Sequence, residues 1–314
     1  MEEALYSHLG FFNTDQVRSD KEGDFLTSPE VSKYFGKIIQ NWINSKSNLK
    51  NIIEIGSGTG SLIEQIGIKE ITAVELSSTA REELIKKGID THTTIDELTT
   101  KTSDLIFGNE ILDNIPCSIG LYKDEGWYEK VVLLEENSLA YGLRPIRNEE
   151  LDWINKNNIV PNEDYEFEIQ VNIDKFLNSV IKKINPGKIL LFDYGYEQKN
   201  RDKRMYSSLL RTYKNHHLSV DPIDDPGNID ITYDVNFSSI SSELKYLGYD
   251  VTLKLQRDFL LDNGFNIFFD ELQEKYIAAE GIEKLKINSE LNGMKAIVDS
   301  NGLGGFYCLI AEKL

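Results

Sequence analysis

The chain is poor in the residues that build metal centres and disulfide frameworks. Its 314 residues include 4 histidines and 2 cysteines. Cys117 and Cys308 lie far apart and form no C-x-x-C pair, which argues against a disulfide scaffold or a zinc site and fits a reducing compartment. No apolar run approaches the ~20 residues of a membrane span. The start, Met1-Glu-Glu-Ala-Leu-Tyr6, lacks the basic region of a secretory signal and the arginines of a transit peptide, so a cytoplasmic location is expected. There are no internal repeats and no low-complexity tract. Positive charge is also scarce: 34 Lys and Arg face 52 Asp and Glu, a formal charge of −18. Such a field disfavours nucleic acid. It would attract a basic protein or peptide, or simply aid solubility. What is present is core-forming material, with 40% hydrophobic residues.

The order of segments predicts an α/β chain. Residues 1–50 form an N-terminal helical segment. Within it, Thr27 or Ser28 can cap a helix, with Pro29 in the first turn and Glu30 three residues after Thr27. Val31, Tyr34, Phe35, Ile38, Ile39, Trp42 and Ile43 then repeat at helical spacing, the signature of a core-facing stripe. Residues 51–314 alternate strand and helix, with strands expected at 51–55, 71–75, near 89–93, at 103–108, at 188–193 and, last, at 249–255 and 305–311. That is a doubly wound parallel sheet covered on both faces. Two stretches break the alternation. Residues 117–170 suggest an inserted antiparallel hairpin. Residues 196–236 are polar, without clear period, and suggest a long loop.

The strongest local signal is Glu54-Ile-Gly-Ser-Gly-Thr-Gly60. Strand, glycine turn and helix start make a corner where backbone approaches a nucleotide-bearing ligand. A dinucleotide site wants G-x-G-x-x-G, whereas here the glycines alternate and Glu54 stands two residues before the first of them. This spacing favours S-adenosylmethionine over NAD. Glu75 ends the second strand, where a carboxylate accepts ribose hydroxyls with either cofactor.

Beyond the glycine turn, the chain resembles the MidA-like methyltransferases. The motifs are Met1–Tyr6 with Gly10-Phe-Phe12, Gly23-Asp-Phe-Leu-Thr-Ser-Pro-Glu-Val31, Asn109-Glu-Ile-Leu-Asp-Asn-Ile-Pro116, Leu210–His216, Asp225–Thr232, Gln256–Leu260 and Gly302–Phe306. The resemblance covers nearly the whole chain, which looks closer to bacterial members than to the mitochondrial branch. It departs at Ser57, where proline is frequent in the family, and at Ser207-Ser208. It implies a Class I methyltransferase fold (a Rossmann-like sheet whose last strand is antiparallel), S-adenosylmethionine as cofactor and a protein acceptor, an arginine in the mitochondrial branch.

By motif matching, Gly56, Ser57, Gly58 and Gly60 lie along the cofactor, Glu54 meets its ammonium or orients the site, and Glu75 takes its ribose. Thr27 and Ser28 either reach its carboxylate or cap their own helix. Leu76 either flanks the adenine or is ordinary core. Asn109, Glu110 and Asp113 follow the fourth strand, at the strand ends where open α/β sheets bind ligands. Guanidinium stays protonated near neutral pH, so paired carboxylates suit an arginine acceptor. Glu110 and Asp113 are candidates for that pair, and would share a face if their segment is helical. His217, or its neighbour His216, is a candidate for removing the proton. Arg211 is expected to pair with Asp221 or Asp230. Three functional classes follow: a protein arginine methyltransferase, an assembly factor that holds S-adenosylmethionine and grips a partner without turnover, and an NAD enzyme.

Overall fold

A computed structural model describes residues 1–13, 27–46, 49–136, 138–203, 209–214, 217–218 and 221–313. In chain order it runs α1 (Glu2–Tyr6), α2 (Ser28–Val31), α3 (Tyr34–Ser45), β1 (Ile52–Ile55), α4 (Ser61–Ile66), β2 (Ile71–Val74), α5 (Ser78–Lys86), β3 (Thr91–His92) and β4 (Ser103–Asn109). There follow β5 (Ser118–Lys123), β6 (Gly126–Glu135), β7 (Ser138–Pro145), α6 (Asn148–Lys156), β8 (Tyr165–Ile169), α7 (Val171–Lys183) and β9 (Ile184–Asp193). The remainder holds β10 (Gly195–Tyr196), β11 (Leu210–Lys214), β12 (His217–Leu218), β13 (Asp230–Tyr233), β14 (Val235–Asn236), α8 (Phe237–Tyr246), β15 (Asp250–Leu255), α9 (Gln256–Asp262), α10 (Phe265–Ala278), α11 (Gly281–Val298) and β16 (Tyr307–Glu312).

The central sheet has the order β15-β16-β9-β4-β1-β2-β3. Its neighbours from β9 to β3 are parallel, and β16 runs antiparallel to both β9 and β15. This is the expected doubly wound sheet with its last strand reversed. Successive side chains point to opposite faces. Ile52, Leu105, Phe107, Leu190 and Phe192 join one core with α3, α4 and α9–α11. Ile53, Ile106, Ile189 and Leu191 join a second core with α7 and α8. Burial on both faces explains why these strands read as unbroken apolar runs. The stripe of α3 lies wholly in the first core, so that part of residues 1–50 is integral to the main body.

Three expectations need correction. The insertion at 117–170 is more than a hairpin: β7-β6-β5-β8 form a four-stranded antiparallel sheet, with α6 packed on it through Trp153 and Ile154. The stretch 196–236 is not one structureless loop. It contributes β11, which pairs antiparallel with β12 and β13, and Leu5 and Phe11 of the N-terminal segment pack on Ile229 and Ile231. The strand expected at 188–193 begins earlier, at Ile184, and Asn185-Pro-Gly187 bulges within β9, where the pairing with β4 shifts register. Short polar strands escape sequence reading because their partners lie far along the chain.

Candidate active site

At the carboxyl ends of β1, β2 and β4 the sheet opens a cavity of about 250 Å³. The glycine turn forms its floor. Gly56, Gly58 and Gly60 have φ of +69°, +51° and +85°, a region L-residues rarely adopt. A Cβ on Gly56 would stand 2.3 Å from Ile111 Cγ2. Gly56, Ser57 and Gly58 line the cavity together with Thr59 and Ser61. Gly60 is not part of the lining. It caps α4, and its Cβ would meet Leu84 Cδ2 at 2.8 Å, so it serves helix packing rather than the expected direct contact.

Glu54 lines the cavity, and its Oε2 is buried without a hydrogen-bond partner among the described residues. Burial pushes this carboxyl well above the usual range, partly offset by Ser57. A cationic ammonium beside it would satisfy the orphaned oxygen, so the residues present fit S-adenosylmethionine on this count. Glu75 accepts from Gly58 N at 2.8 Å and from Ser77 N at 2.8 Å. Each oxygen retains a lone pair for a ribose hydroxyl, and burial is the main cause of its raised pKa. Leu76 lines the cavity and is 50% exposed, so it is not ordinary core.

Thr27 and Ser28 separate. Thr27 precedes α2, makes no side-chain cap bond and lines the cavity. Ser28 is fully buried, and its hydroxyl lies 3.2 Å from Gln256 Oε1, so neither the cofactor role nor the capping role describes its side chain. Its backbone N–H instead donates to Glu110 Oε1 at 3.3 Å.

Asn109, the last residue of β4, and Glu110 after it line the cavity. Asn109 Nδ2 donates to Glu110 Oε1 at 2.9 Å. Glu110 has φ +53°, and its N–H reaches Phe192 O at 2.8 Å. A non-glycine residue in that conformation is held there by its surroundings. Burial and the neighbouring Asp113 push the Glu110 carboxyl up to about 8. The segment beyond is a run of turns rather than a helix, so the shared helical face expected for Glu110 and Asp113 does not exist. Asp113 is buried and is not among the cavity-lining residues. It accepts from the Tyr194 hydroxyl, and Arg211 lies 4.5 Å over the Tyr194 ring. Arg211 pairs with Asp234 at 2.9 Å, a partner the sequence reading did not name. His216 and the side chain of His217 lie outside the described residues, while the His217 backbone pairs with Lys214.

Several positioning residues escaped the sequence reading. Asp193 is fully buried, accepts from the N–H groups of Leu112 (2.8 Å), Asp113 (3.3 Å) and Tyr194 (2.9 Å), and so fixes the turn behind Glu110. Tyr233 donates toward the carbonyls of Leu112 and Ile115, and Tyr6 donates to that of Asn114. A carboxylate closing an apolar strand, as in Leu190-Leu-Phe-Asp193, was the available signal. Tyr6 and Phe12 also line the cavity.

The profile of a family described as S-adenosyl-L-methionine-dependent methyltransferase matches residues 34–252. The chain is 25% identical over 308 residues to the protein arginine methyltransferase NDUFAF7 homolog, mitochondrial, of Caenorhabditis elegans, covering 83% of this chain and 70% of that protein. It is 25% identical over 322 residues to protein arginine methyltransferase NDUFAF7, mitochondrial, of Danio rerio, covering 85% and 72%. Its fold matches a crystal structure from Burkholderia thailandensis, bound to S-adenosyl-homocysteine, with a TM-score of 0.86 at 22% identity over 100% of this chain and 86% of that one. With the profile spanning most of the chain and the cavity built on its glycine turn, this protein belongs to that family of S-adenosyl-L-methionine-dependent methyltransferases.

Proposed function

We propose that the chain methylates an arginine side chain of a protein. The observation that carries this reading is Glu110, a carboxyl at the cavity wall whose pKa of about 8 reflects burial and the charge of Asp113. Asp113 and Asp193 crowd behind it, both shifted upward mainly by burial. Of these three carboxyls Arg211 offsets Asp113, and a further cation at the wall would relieve Glu110. A guanidinium fits, since it stays charged and offers forked donors. The names of the relatives in Caenorhabditis elegans and Danio rerio support the same acceptor.

S-adenosylmethionine, when bound, supplies an electrophilic methyl group. The chain's residues do the positioning. Glu54 holds a cation at the glycine turn, Glu75 offers two acceptor oxygens for a ribose, and Thr27 and Leu76 bound the same cavity. Glu110, in its ionised form, orients the acceptor's guanidinium. A protein labelled in a cell lysate by methyl-labelled cofactor, with the label recovered as methylarginine after hydrolysis, is the expected result. Label on another residue type overturns the arginine assignment. No label beside intact cofactor binding favours the second reading, a partner-binding protein without turnover, which the exposed apolar strands of the inserted sheet support.

A further inference from the structure

The inserted sheet carries a surface that the cofactor cavity does not use. One of its faces is covered at its base by α6, through Trp127, Ile146, Trp153 and Phe167. The register places Val132 opposite Tyr141, Leu134 opposite Leu139 and Lys130 opposite Leu143, all on the other face. Leu134 is 75% exposed and Leu143 is 47% exposed, and Val132, Leu139 and Tyr141 are exposed with them. β7, of 8 residues, is moreover an edge strand, with no strand paired to its outer flank among the described residues. Soluble proteins normally blunt a long apolar edge, so one left open is a template for another strand.

Charge selects what fits. The Tyr141 hydroxyl donates to Asp221, and its pKa is raised by burial and by the carboxylates of Asp221, Asp224 and Glu166. Lys130 is bound to Glu166 at 3.0 Å and Arg144 to Glu129 at 2.5 Å, so the cations of these strands are already answered. Glu135 and Glu136 stand exposed at the hairpin tip. The apolar face is therefore bordered by Asp221 and Asp224, and Glu135 adds a carboxylate on the opposite face. The inserted sheet also joins the site along the chain, because β5 begins directly after the turns that follow Glu110.

We propose that β7 and its apolar face receive an extended segment of the protein acceptor, alternating apolar and basic residues, as an added strand of the inserted sheet. The proposal rests on the reading of the chain as a protein arginine methyltransferase. Main-chain pairing along β7 would give affinity. Apolar side chains on Leu134, Leu139 and Leu143, with basic ones on the opposite face toward Glu135, would give selectivity.

The test uses the full chain and a fluorescent peptide of the length of β7 that alternates valine and arginine. A second peptide alternates valine and glutamate. Fluorescence anisotropy with wild type is expected to show binding of the first and none of the second. Leu134→Asp with Leu143→Asp should weaken the first by about tenfold or more, while calorimetric affinity for S-adenosylmethionine stays unchanged. Both positions are exposed, so the variant is expected to fold, and its melting curve checks this. Glu135→Lys with Glu136→Lys should weaken the same peptide and raise the salt sensitivity of nothing else. Equal binding by wild type and the leucine variant, or equal binding of both peptides, overturns the docking surface. Intact, charge-selective binding without methyl transfer to any arginine peptide or lysate protein overturns the arginine reading and leaves the surface as a peptide site. If light scattering finds a wild-type dimer that the leucine variant splits, with peptide binding unaltered, the occupant is a second copy and the proposal falls.

Discussion

Glu110→Gln is the most informative single change. Glutamine keeps an oxygen to accept from Ser28 N and Asn109 Nδ2, so the local hydrogen bonds survive. What disappears is the ability to ionise. With a carboxyl pKa of about 8, the wild-type group is about 9% ionised at pH 7 and about 91% ionised at pH 9. If the carboxylate holds the guanidinium, kcat/KM should rise about tenfold across that interval, because the acceptor itself stays protonated. In the variant the profile should be flat and the alkaline rate lower by about 10²-fold, or ~2.7 kcal/mol, the usual cost of removing one partner of a buried charge pair. Stability should move in the opposite direction. A carboxyl raised from 4.5 to about 8 holds its proton more tightly in the folded chain than in the unfolded one. Folding stability is therefore undiminished below pH 4.5 and falls as pH rises toward 8, by up to about 5 kcal/mol on full ionisation. Glu110→Gln escapes that loss, so its melting temperature should exceed wild type above pH 8 and match it near pH 4.5. The assay is label transfer from methyl-labelled cofactor at a series of pH values, beside thermal melts of the cofactor-free protein. A variant that transfers label at the wild-type rate at alkaline pH, or one whose melting temperature does not gain there, refutes the carboxylate role.

Other changes separate the cofactor's supports from the turn behind Glu110. Gly58→Val places a branched side chain at φ +51° on the cavity floor, so calorimetry should detect no binding of S-adenosylmethionine; retained affinity would move the site elsewhere. Glu54→Gln should weaken the cofactor by about 10- to 100-fold, since a charge-assisted contact is lost, and an unchanged Kd would remove the ammonium from that position. Asp193→Ala leaves the N–H groups of Leu112, Asp113 and Tyr194 without their acceptor, so denaturant unfolding should show a loss of about 3 kcal/mol or more; a change within experimental scatter would mean the turn holds itself.

Much of the fold was legible because the physics behind it is local. Ile52, Ile53 and Ile55 read as a doubly buried strand from their apolar run alone, and the stripe from Tyr34 to Ile43 read as a core helix from its period, although the extended backbone of Ser32 breaks the helix and leaves Val31 in α2. The glycine turn was legible for the same reason: a left-handed φ at alternate positions needs no knowledge of distant chain. Legibility failed where one residue type has several local uses. Thr27 and Ser28 are adjacent hydroxyls in one motif, yet one lines the cavity and the other is buried against Gln256, more than two hundred residues later. Gly60 belongs to the same repeat as Gly56, yet it answers to Leu84 of the next helix.

The division is sharpest around Glu110. Sequence by itself determined the sheet, its covering helices, the position of the cofactor corner and the carboxylates that follow the fourth strand. Those features depend on periodicity, backbone freedom and strand ends, which a short window contains. Tertiary structure alone decided that Glu110 faces the cavity while Asp113 turns into the protein toward Tyr194 and Arg211, because the turn between them is clamped by Asp193, Tyr233 and Tyr6 from three remote segments. It also decided how readily Glu110 ionises, since desolvation and a neighbour's charge are properties of packing that no spacing along the chain encodes.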